Sequence, residues 1–171
     1  MHALIDGDIP KYAIAFACQR DVYTDGKQEF FVRKSLAGME VVSLETEETQ
    51  HYPELRSKKA VLEETGLTHS RVDVDPIANC LHSVKVMIDG IVKASGATSY
   101  SVYLTKGECF RFKLSPIYKA NRADAPKPVL IPEIQKYLIS KYNAQLCTDI
   151  EADDALGIAQ CKIQEKPLSA L

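Results

Sequence analysis

The sequence lacks three features that would place it in other protein classes. Its five cysteines are odd in number and scattered without a CxxC pair, so neither a disulfide framework nor a zinc site is indicated. No apolar run approaches ~20 residues and the N-terminus does not resemble a signal peptide, so we expect a cytoplasmic protein without a membrane partner. An excess of one charge is also lacking, since the net charge is −2. A nucleic-acid site would therefore be a local patch.

Length and hydrophobic content are those of one globular domain. The chain has 171 residues, of which 46% are hydrophobic, enough for a substantial core. Apolar periodicity predicts the order strand, helix, hairpin region, helix, strand, helix, strand, helix. This alternation predicts an α/β domain over residues 1–171, with a mainly parallel sheet flanked by helices.

Residues 19–74 carry no motif that suggests chemistry, and we treat them as an insertion of unknown role. Apolar runs flank Asp25 and Gly26, which predicts a β-hairpin. Four acids that follow predict a solvated loop: Glu40, Glu45, Glu47 and Glu48.

The N-terminal residues predict a short buried strand that ends in acids. Asp6 follows the apolar residues of this strand, and Asp8 with Pro10 suits the start of a helix. Asp6 has two interpretations, either an ordinary turn residue before a glycine or a ligand that works with acids elsewhere in the chain. The following helix is predicted to bury its apolar side: Tyr12, Ala13, Phe16 and Ala17.

Three carboxylates crowd together where a later strand passes into a helix. Glu151, Asp153 and Asp154 precede or begin a segment whose apolar residues recur at helical spacing. A helix N-terminus favours negative charge, yet three mutually repelling carboxylates prefer a cation among them. The alternative is a capping box between Thr148 and Glu151, with the two aspartates as ordinary first-turn acids.

The predicted topology brings the two acidic segments together. Ligands of parallel sheets bind beyond the carboxyl ends of the strands, so Asp6 is expected on the same rim as Glu151, Asp153 and Asp154. Hard divalent cations prefer carboxylate oxygens. Four acids on one rim therefore predict a Mg²⁺ or Mn²⁺ site.

Residues 106–128, here called the basic segment, combine positive charge with aromatic rings. Six basic residues outnumber two acids: Lys106, Arg111, Lys113, Lys119, Arg122 and Lys127 against Glu108 and Asp124. Three rings are interleaved with them: Phe110, Phe112 and Tyr118. Such a segment can hold a phosphate backbone while stacking bases. The alternative is a solvated loop whose aromatic rings pack into the core.

These motifs together resemble the phage and bacterial 5′→3′ exonucleases, the flap endonuclease family, whose domain also forms the N-terminal nuclease of bacterial DNA polymerase I. The resemblance covers roughly residues 2–18 and 76–161. Its matching pieces occur in order: LIDG at 4–7, FR at 110–111, YKANR at 118–122 with the tail RADAPKP to 128, and EADDAL at 151–156. The resemblance implies a PIN-like or resolvase-like nuclease domain in which the basic segment is an arch over the DNA.

The resemblance also implies roles for individual residues. Metal would be held by four acids: Asp6, Glu151, Asp153 and Asp154. Three basic residues would act at the scissile phosphate or the 5′ strand: Arg111, Lys119 and Arg122. Further DNA contacts would come from Lys106, Phe110, Lys113, Tyr118 and Lys127. The implied reaction is two-metal hydrolysis of phosphodiester bonds, with Mg²⁺ or Mn²⁺, in DNA that has 5′ ends or flaps.

The sequence departs from the family in two places. Many members have an aspartate at the end of the second matched strand, where Leu104 and Thr105 stand here before Lys106. The family continues after its EADD helix into a strand with two further aspartates and a helix–three-turn–helix, which residues 166–171 do not resemble. The alternatives to a nuclease are a fragment that binds DNA or a polymerase and needs a second chain for the missing acids, and a PIN-type ribonuclease.

Overall fold

The computed structural model describes residues 1–115, 117–120 and 126–164, without the side chains of residues 163 and 164. No helix in these ranges combines the length and apolar character needed to cross a membrane.

The elements form two compact units, one made of Met1–Ala17 with residues from 76 onward and one of Cys18–Asp75. In chain order the elements are β1 (His2–Asp6), α1 (Asp8–Ala17), β2 (Gln19–Thr24), β3 (Glu29–Ser35), β4 (Gly38–Ser43), β5 (Thr49–Tyr52), α2 (Lys58–Thr65), β6 (Thr68–Val74), α3 (Ile77–Ser95), β7 (Ser99–Cys109), α4 (Phe110–Leu114), α5 (Ile131–Tyr142), β8 (Gln145–Asp149) and α6 (Ala152–Gln164).

The first unit contains a parallel three-stranded sheet in the order β1-β7-β8. Asp6 at the end of β1 pairs in register with Tyr103, and Thr105 further along β7 pairs with Cys147 of β8. The carboxyl ends of all three strands therefore lie at one edge. This confirms the predicted α/β class with a parallel sheet flanked by helices.

Apolar side chains at regular spacing position the helices of this unit. Ile134 and Leu138, four residues apart on α5, are both fully buried, as are Val84 and Ile88 on α3. This spacing places each pair on one side of its helix. Helices α1, α3 and α5 pack against one another, while α6 packs against β1 and β7.

The buried side of α1 differs from the predicted one. Lys11 and Ala15 are buried, whereas Tyr12 is 37% and Phe16 55% exposed. Lys11 can be buried because its Nζ pairs with Asp8 Oδ1 at 2.5 Å, which satisfies the ammonium inside the fold. The apolar pattern was misleading because an ion pair, which hydropathy ignores, decides which side faces inward.

The second unit is a five-stranded antiparallel sheet, in the order β5-β4-β3-β2-β6, with α2. The predicted hairpin is confirmed, since β2 pairs with β3 and the Asp25 side chain accepts hydrogen bonds from two backbone N–H groups of the turn. The expectation of a hairpin alone was wrong, because three further strands continue the sheet. Polar residues such as His51 and Arg71 interrupt the apolar alternation in β5 and β6 and hide them from pattern analysis. That residues 1–171 work as one PIN-like domain stays a prediction.

The predicted acidic loop is wrong for Glu40, which lies in β4 and is only 7% exposed. Arg33 lies opposite in β3 and donates from Nε to Glu40 Oε2 at 2.7 Å. This hydrogen bond lowers the pKa of Glu40 below its ordinary value, so the buried carboxylate stays charged. The other three glutamates of that stretch are exposed, as expected.

A close backbone approach occurs at Gly7, directly after β1. Its N–H donates to Tyr103 O at 2.8 Å, which extends the β1–β7 ladder by one bond. A Cβ at this position would lie 2.8 Å from Val102 Cγ1 and 2.9 Å from both Leu104 Cδ2 and Tyr103 O. Glycine is therefore needed here for space, in the turn that presents Asp6.

We predict that Gly7→Ala destabilises the chain by about 1–3 kcal/mol, because the added methyl group must displace buried side chains and a backbone oxygen. Gly90→Ala on α3 is the matched control, since nothing lies within 4 Å of its Cβ. The control is expected to stabilise by about 0.5–1 kcal/mol through helix propensity. Chemical denaturation measures both variants. If Gly7→Ala is as stable as the unchanged protein, or gains stability as the control does, the close approach is contradicted.

Candidate metal and phosphate site

Three carboxylates meet at the start of α6. One oxygen from each of Glu151, Asp153 and Asp154 lies within 4.8 Å of the others, and no other such group of His, Cys, Asp or Glu occurs among the described residues. These three residues are called the acid group below. Asp153 is exposed, while Glu151 and Asp154 are half-buried.

Asp6 lies at the same edge of the sheet but is not a member of the acid group. Burial raises the pKa of Asp6, and the charges of Asp8 and Asp153 raise it further, outweighing the hydrogen bond from the Asp8 N–H. The side chains of Asp6 and Asp153 are therefore close enough for their charges to interact. Asp6 also has the predicted turn role, because its Oδ1 accepts from the Asp8 N–H at 2.8 Å.

The start of α6 is capped differently from the predicted box of Thr148 and Glu151. The Glu151 carbonyl accepts the first helical hydrogen bond, from the Ala155 N–H at 3.1 Å. Asp154 Oδ2 reaches back to the Glu151 N–H at 3.2 Å, so the reciprocal bond of a capping box is made three residues later than predicted. The Glu151 side chain points instead to the basic segment.

Thr105 connects the start of α6 with Asp8 on α1. Its Oγ1 accepts from the buried Ala152 N–H at 2.9 Å, and its own N–H donates to Asp8 Oδ2 at 3.2 Å. Asp8 also holds Lys11, so it is fully engaged in positioning rather than simply capping α1. The sequence pattern indicated Asp8 only as a helix-start residue and did not single out Lys11. Their three-residue spacing on one helix was the available signal.

Arg111 from α4 makes the most specific contact with the acid group. Its Nη1 donates to Asp154 Oδ2 at 2.6 Å and its Nη2 donates to Asp154 Oδ1 at 2.5 Å, which makes a bidentate salt bridge. Nη1 also donates to Glu151 Oε2 at 3.1 Å. The guanidinium group holds the pKa of Asp154 below its ordinary value.

Lys119 and Tyr118 approach the same glutamate. Lys119 Nζ donates to Glu151 Oε1, and the Tyr118 hydroxyl donates to Glu151 Oε2 at 2.7 Å. Burial raises the pKa of Glu151, but the bonds from Lys119 and Tyr118 and the charge of Arg111 outweigh it and lower the pKa overall. Lys119 has a φ of 56°, a left-handed conformation that is uncommon for lysine, so its contacts hold the backbone in a strained form.

Aromatic rings lie beside these cations and remain accessible. The Arg111 guanidinium carbon is 5.1 Å from the centre of the Phe110 ring and 5.9 Å from that of Tyr118. The rings of Phe112 and Tyr118 meet edge to face at 5.3 Å. Phe110 is 39% and Phe112 37% exposed, which suits rings that stack on a ligand better than rings packed in the core.

The remaining basic residues of the predicted site are placed less centrally. Lys106, in the extended β7, and Lys127 are exposed, and none of the described ion pairs includes either of them. Lys113 Nζ lies 3.4 Å from Asp149 Oδ1, outside the acid group. Arg122 lies outside the described residues.

A basic half and an acidic half thus face each other at one edge of the sheet. The acid group offers only carboxylate oxygens, a donor set that fits a hard divalent cation. Arg111, Lys119 and the Tyr118 hydroxyl offer donors that suit a phosphate. Comparison with family models, curated proteins and solved structures finds no significant match to this chain.

We predict that Thr105→Val destabilises the chain by about 1–3 kcal/mol, because the buried Ala152 N–H loses its acceptor while the side-chain volume is kept. Thr105→Ser retains the oxygen and is expected to recover most of that loss. Thermal or chemical denaturation of the three proteins measures the effect. If valine and serine variants are equally stable, the Thr105–Ala152 bond does not hold the start of α6.

Proposed function

We propose that this protein is a metal-dependent nuclease of the PIN-like 5′→3′ exonuclease type, which hydrolyses phosphodiester bonds in DNA with 5′ ends or flaps. One observation supports the proposal most strongly. Arg111, Tyr118 and Lys119 of the basic segment converge on Glu151 and Asp154, although more than 30 residues separate them in sequence. This convergence supports the proposal because phosphate-binding donors then lie beside the candidate metal ligands.

The acid group would hold Mg²⁺ or Mn²⁺, with Asp6 adding negative charge from the end of β1. When bound, such an ion supplies Lewis-acid chemistry, since it lowers the pKa of water and offsets charge on a phosphate. Glu151 and Asp154 are negatively charged at neutral pH, because their pKa values are lowered, so both carboxylates are in the form that binds a cation.

The basic residues would bind and orient the DNA strand. The guanidinium fork of Arg111 matches two oxygens of a phosphate, as it matches the two oxygens of Asp154 here. Lys119 adds a second positive charge, which offsets charge that gathers on the phosphate during hydrolysis. Phe110 and Tyr118 offer rings for base stacking, a contact that tolerates any sequence. These contacts are directed at backbone and ring faces, so weak sequence preference is expected.

A second candidate is a DNA-binding module without catalysis. The observation that favours it is the complete engagement of Glu151 and Asp154, whose four carboxylate oxygens already accept hydrogen bonds from protein donors. Such a module would bind branched DNA, or a polymerase, and depend on acids from a second chain for any hydrolysis.

Cleavage of a 5′-flap duplex in the presence of Mg²⁺ tests the proposal. We predict that Asp153→Asn lowers the rate by roughly 100-fold or more, because loss of a metal ligand removes several kcal/mol of transition-state stabilisation. Asp153 is the best position to change, since it is exposed and forms no ion pair with Arg111 or Lys119. Glu63→Gln on α2 removes one negative charge from an exposed site and should cleave like the unchanged protein.

Three results would contradict the nuclease proposal in whole or in part. Equal cleavage by all three proteins would exclude the acid group from the reaction. Flap binding without cleavage by the unchanged protein would favour the non-catalytic module, and preferential cleavage of single-stranded RNA would favour a ribonuclease.

A further inference from the structure

Two members of the acid group, Glu151 and Asp154, have every carboxylate oxygen engaged by the basic segment. Both oxygens of Asp154 accept from Arg111, at 2.5 and 2.6 Å. Both oxygens of Glu151 are also engaged, Oε1 by Lys119 and Oε2 by Tyr118 and Arg111. Glu151 and Asp154 are therefore engaged by the basic residues, while Asp153 of the acid group pairs with neither Arg111 nor Lys119.

Competition follows from this arrangement. A cation that binds at Glu151 or Asp154 competes with Arg111 and Lys119 for the same oxygens and is repelled by their positive charges. A phosphate that takes the guanidinium fork of Arg111 must likewise displace the Asp154 carboxylate, because the fork presents the same two N–H donors to either anion.

The charges allow this exchange to be balanced. Arg111 and Lys119 together carry two positive charges, the same as one divalent cation, and both pair with the acid group. Replacing them with a metal ion leaves the acids as well neutralised as before. Replacing the acids with a phosphate leaves the basic residues paired as well. Neither half needs to be left as an uncompensated, partly buried charge, provided that both ligands bind.

We propose that the divalent cation and the DNA phosphate bind cooperatively, because Arg111 and Lys119 exchange the acid group for phosphate oxygens when the metal arrives. This inference rests on the proposed function. It adds that the ion pairs of Arg111 and Lys119 with the acid group block both binding sites when neither ligand is present. The metal ion displaces the basic residues from the acids, and the phosphate displaces the acids from the basic residues. A ligand shifts such an equilibrium only through its different affinity for the two states, and here the paired and exchanged states differ in which groups are available.

Reciprocal linkage gives the expected size of the effect. Coupling between two sites is typically about 5–150-fold in affinity, and it is equal in both directions. We therefore expect the Kd for Mn²⁺ to fall at least about fivefold when the DNA strand is bound.

Calorimetric titration of Mn²⁺ into the full chain tests the inference at constant ionic strength. The titration is run without and with a saturating short 5′-phosphorylated single strand whose phosphorothioate linkages resist hydrolysis, and the heat of Mn²⁺ binding to that strand alone is subtracted. Arg111→Gln should bind Mn²⁺ more tightly than the unchanged protein when no DNA is present, since the competitor is gone. Its gain from added DNA should be smaller.

Lys85→Gln is the matched control, because it removes the same charge from an exposed ion pair with Asp89 on α3. It should behave like the unchanged protein in both titrations. Lys119→Gln, which frees Glu151 Oε1 and leaves the Arg111–Asp154 pair in place, is the second variant if circular dichroism shows that Arg111→Gln does not fold. It too should show tighter Mn²⁺ binding and weaker coupling.

The inference is overturned if DNA leaves the Mn²⁺ affinity of the unchanged protein the same, or if Lys85→Gln changes that affinity as much as Arg111→Gln does. Flap cleavage without coupling would leave the nuclease proposal standing and remove only the exchange. Failure of the unchanged protein to bind Mn²⁺ at all would remove both.

Discussion

Repulsion among the acids at the start of α6 is the constraint on which the site depends. Three carboxylates whose oxygens lie within 4.8 Å of one another need compensating charge, and the chain supplies it from the basic segment. Arg111 and Lys119 reach the acid group only because α4 and the following turn lie directly after β7. The parallel sheet thus fixes the acids, and the acids in turn fix the conformation of the basic residues, including the strained backbone of Lys119.

Features with a strong local cause were predictable from the sequence. Helix α5 follows from apolar residues at helical spacing, since Ile134 and Leu138, four residues apart, mark its buried side. Helices α2 and α3 end at Gly66 and Gly96, whose left-handed φ angles of 68° and 63° suit glycine. The expected acidic rim is present in part, since Glu151, Asp153 and Asp154 lie together while Asp6 ends β1 at the same edge without joining them. The family to which the motifs point stays a proposal.

Features that depend on distant partners could not be predicted. Lys11 faces inward because of Asp8, and Glu40 is buried because Arg33 lies across the sheet, and neither fact is visible in hydropathy. Thr105 lies where many members of the resembled family have an aspartate. In this chain its hydroxyl oxygen accepts the hydrogen bond that anchors the start of α6. Strands β5 and β6 of the second unit were not predicted because they are polar and are stabilised by pairing with neighbouring strands rather than by an apolar pattern.

The central claim is that acids from separate segments of the chain form one cation site. Anomalous diffraction from crystals soaked in Mn²⁺ tests it most directly, because the signal locates the ion independently of the protein atoms. The account predicts an anomalous peak within coordination distance of Asp153 and of Glu151 or Asp154, with the Arg111–Asp154 pair altered. Occupied Mn²⁺ sites found only elsewhere, with that pair intact, would contradict it.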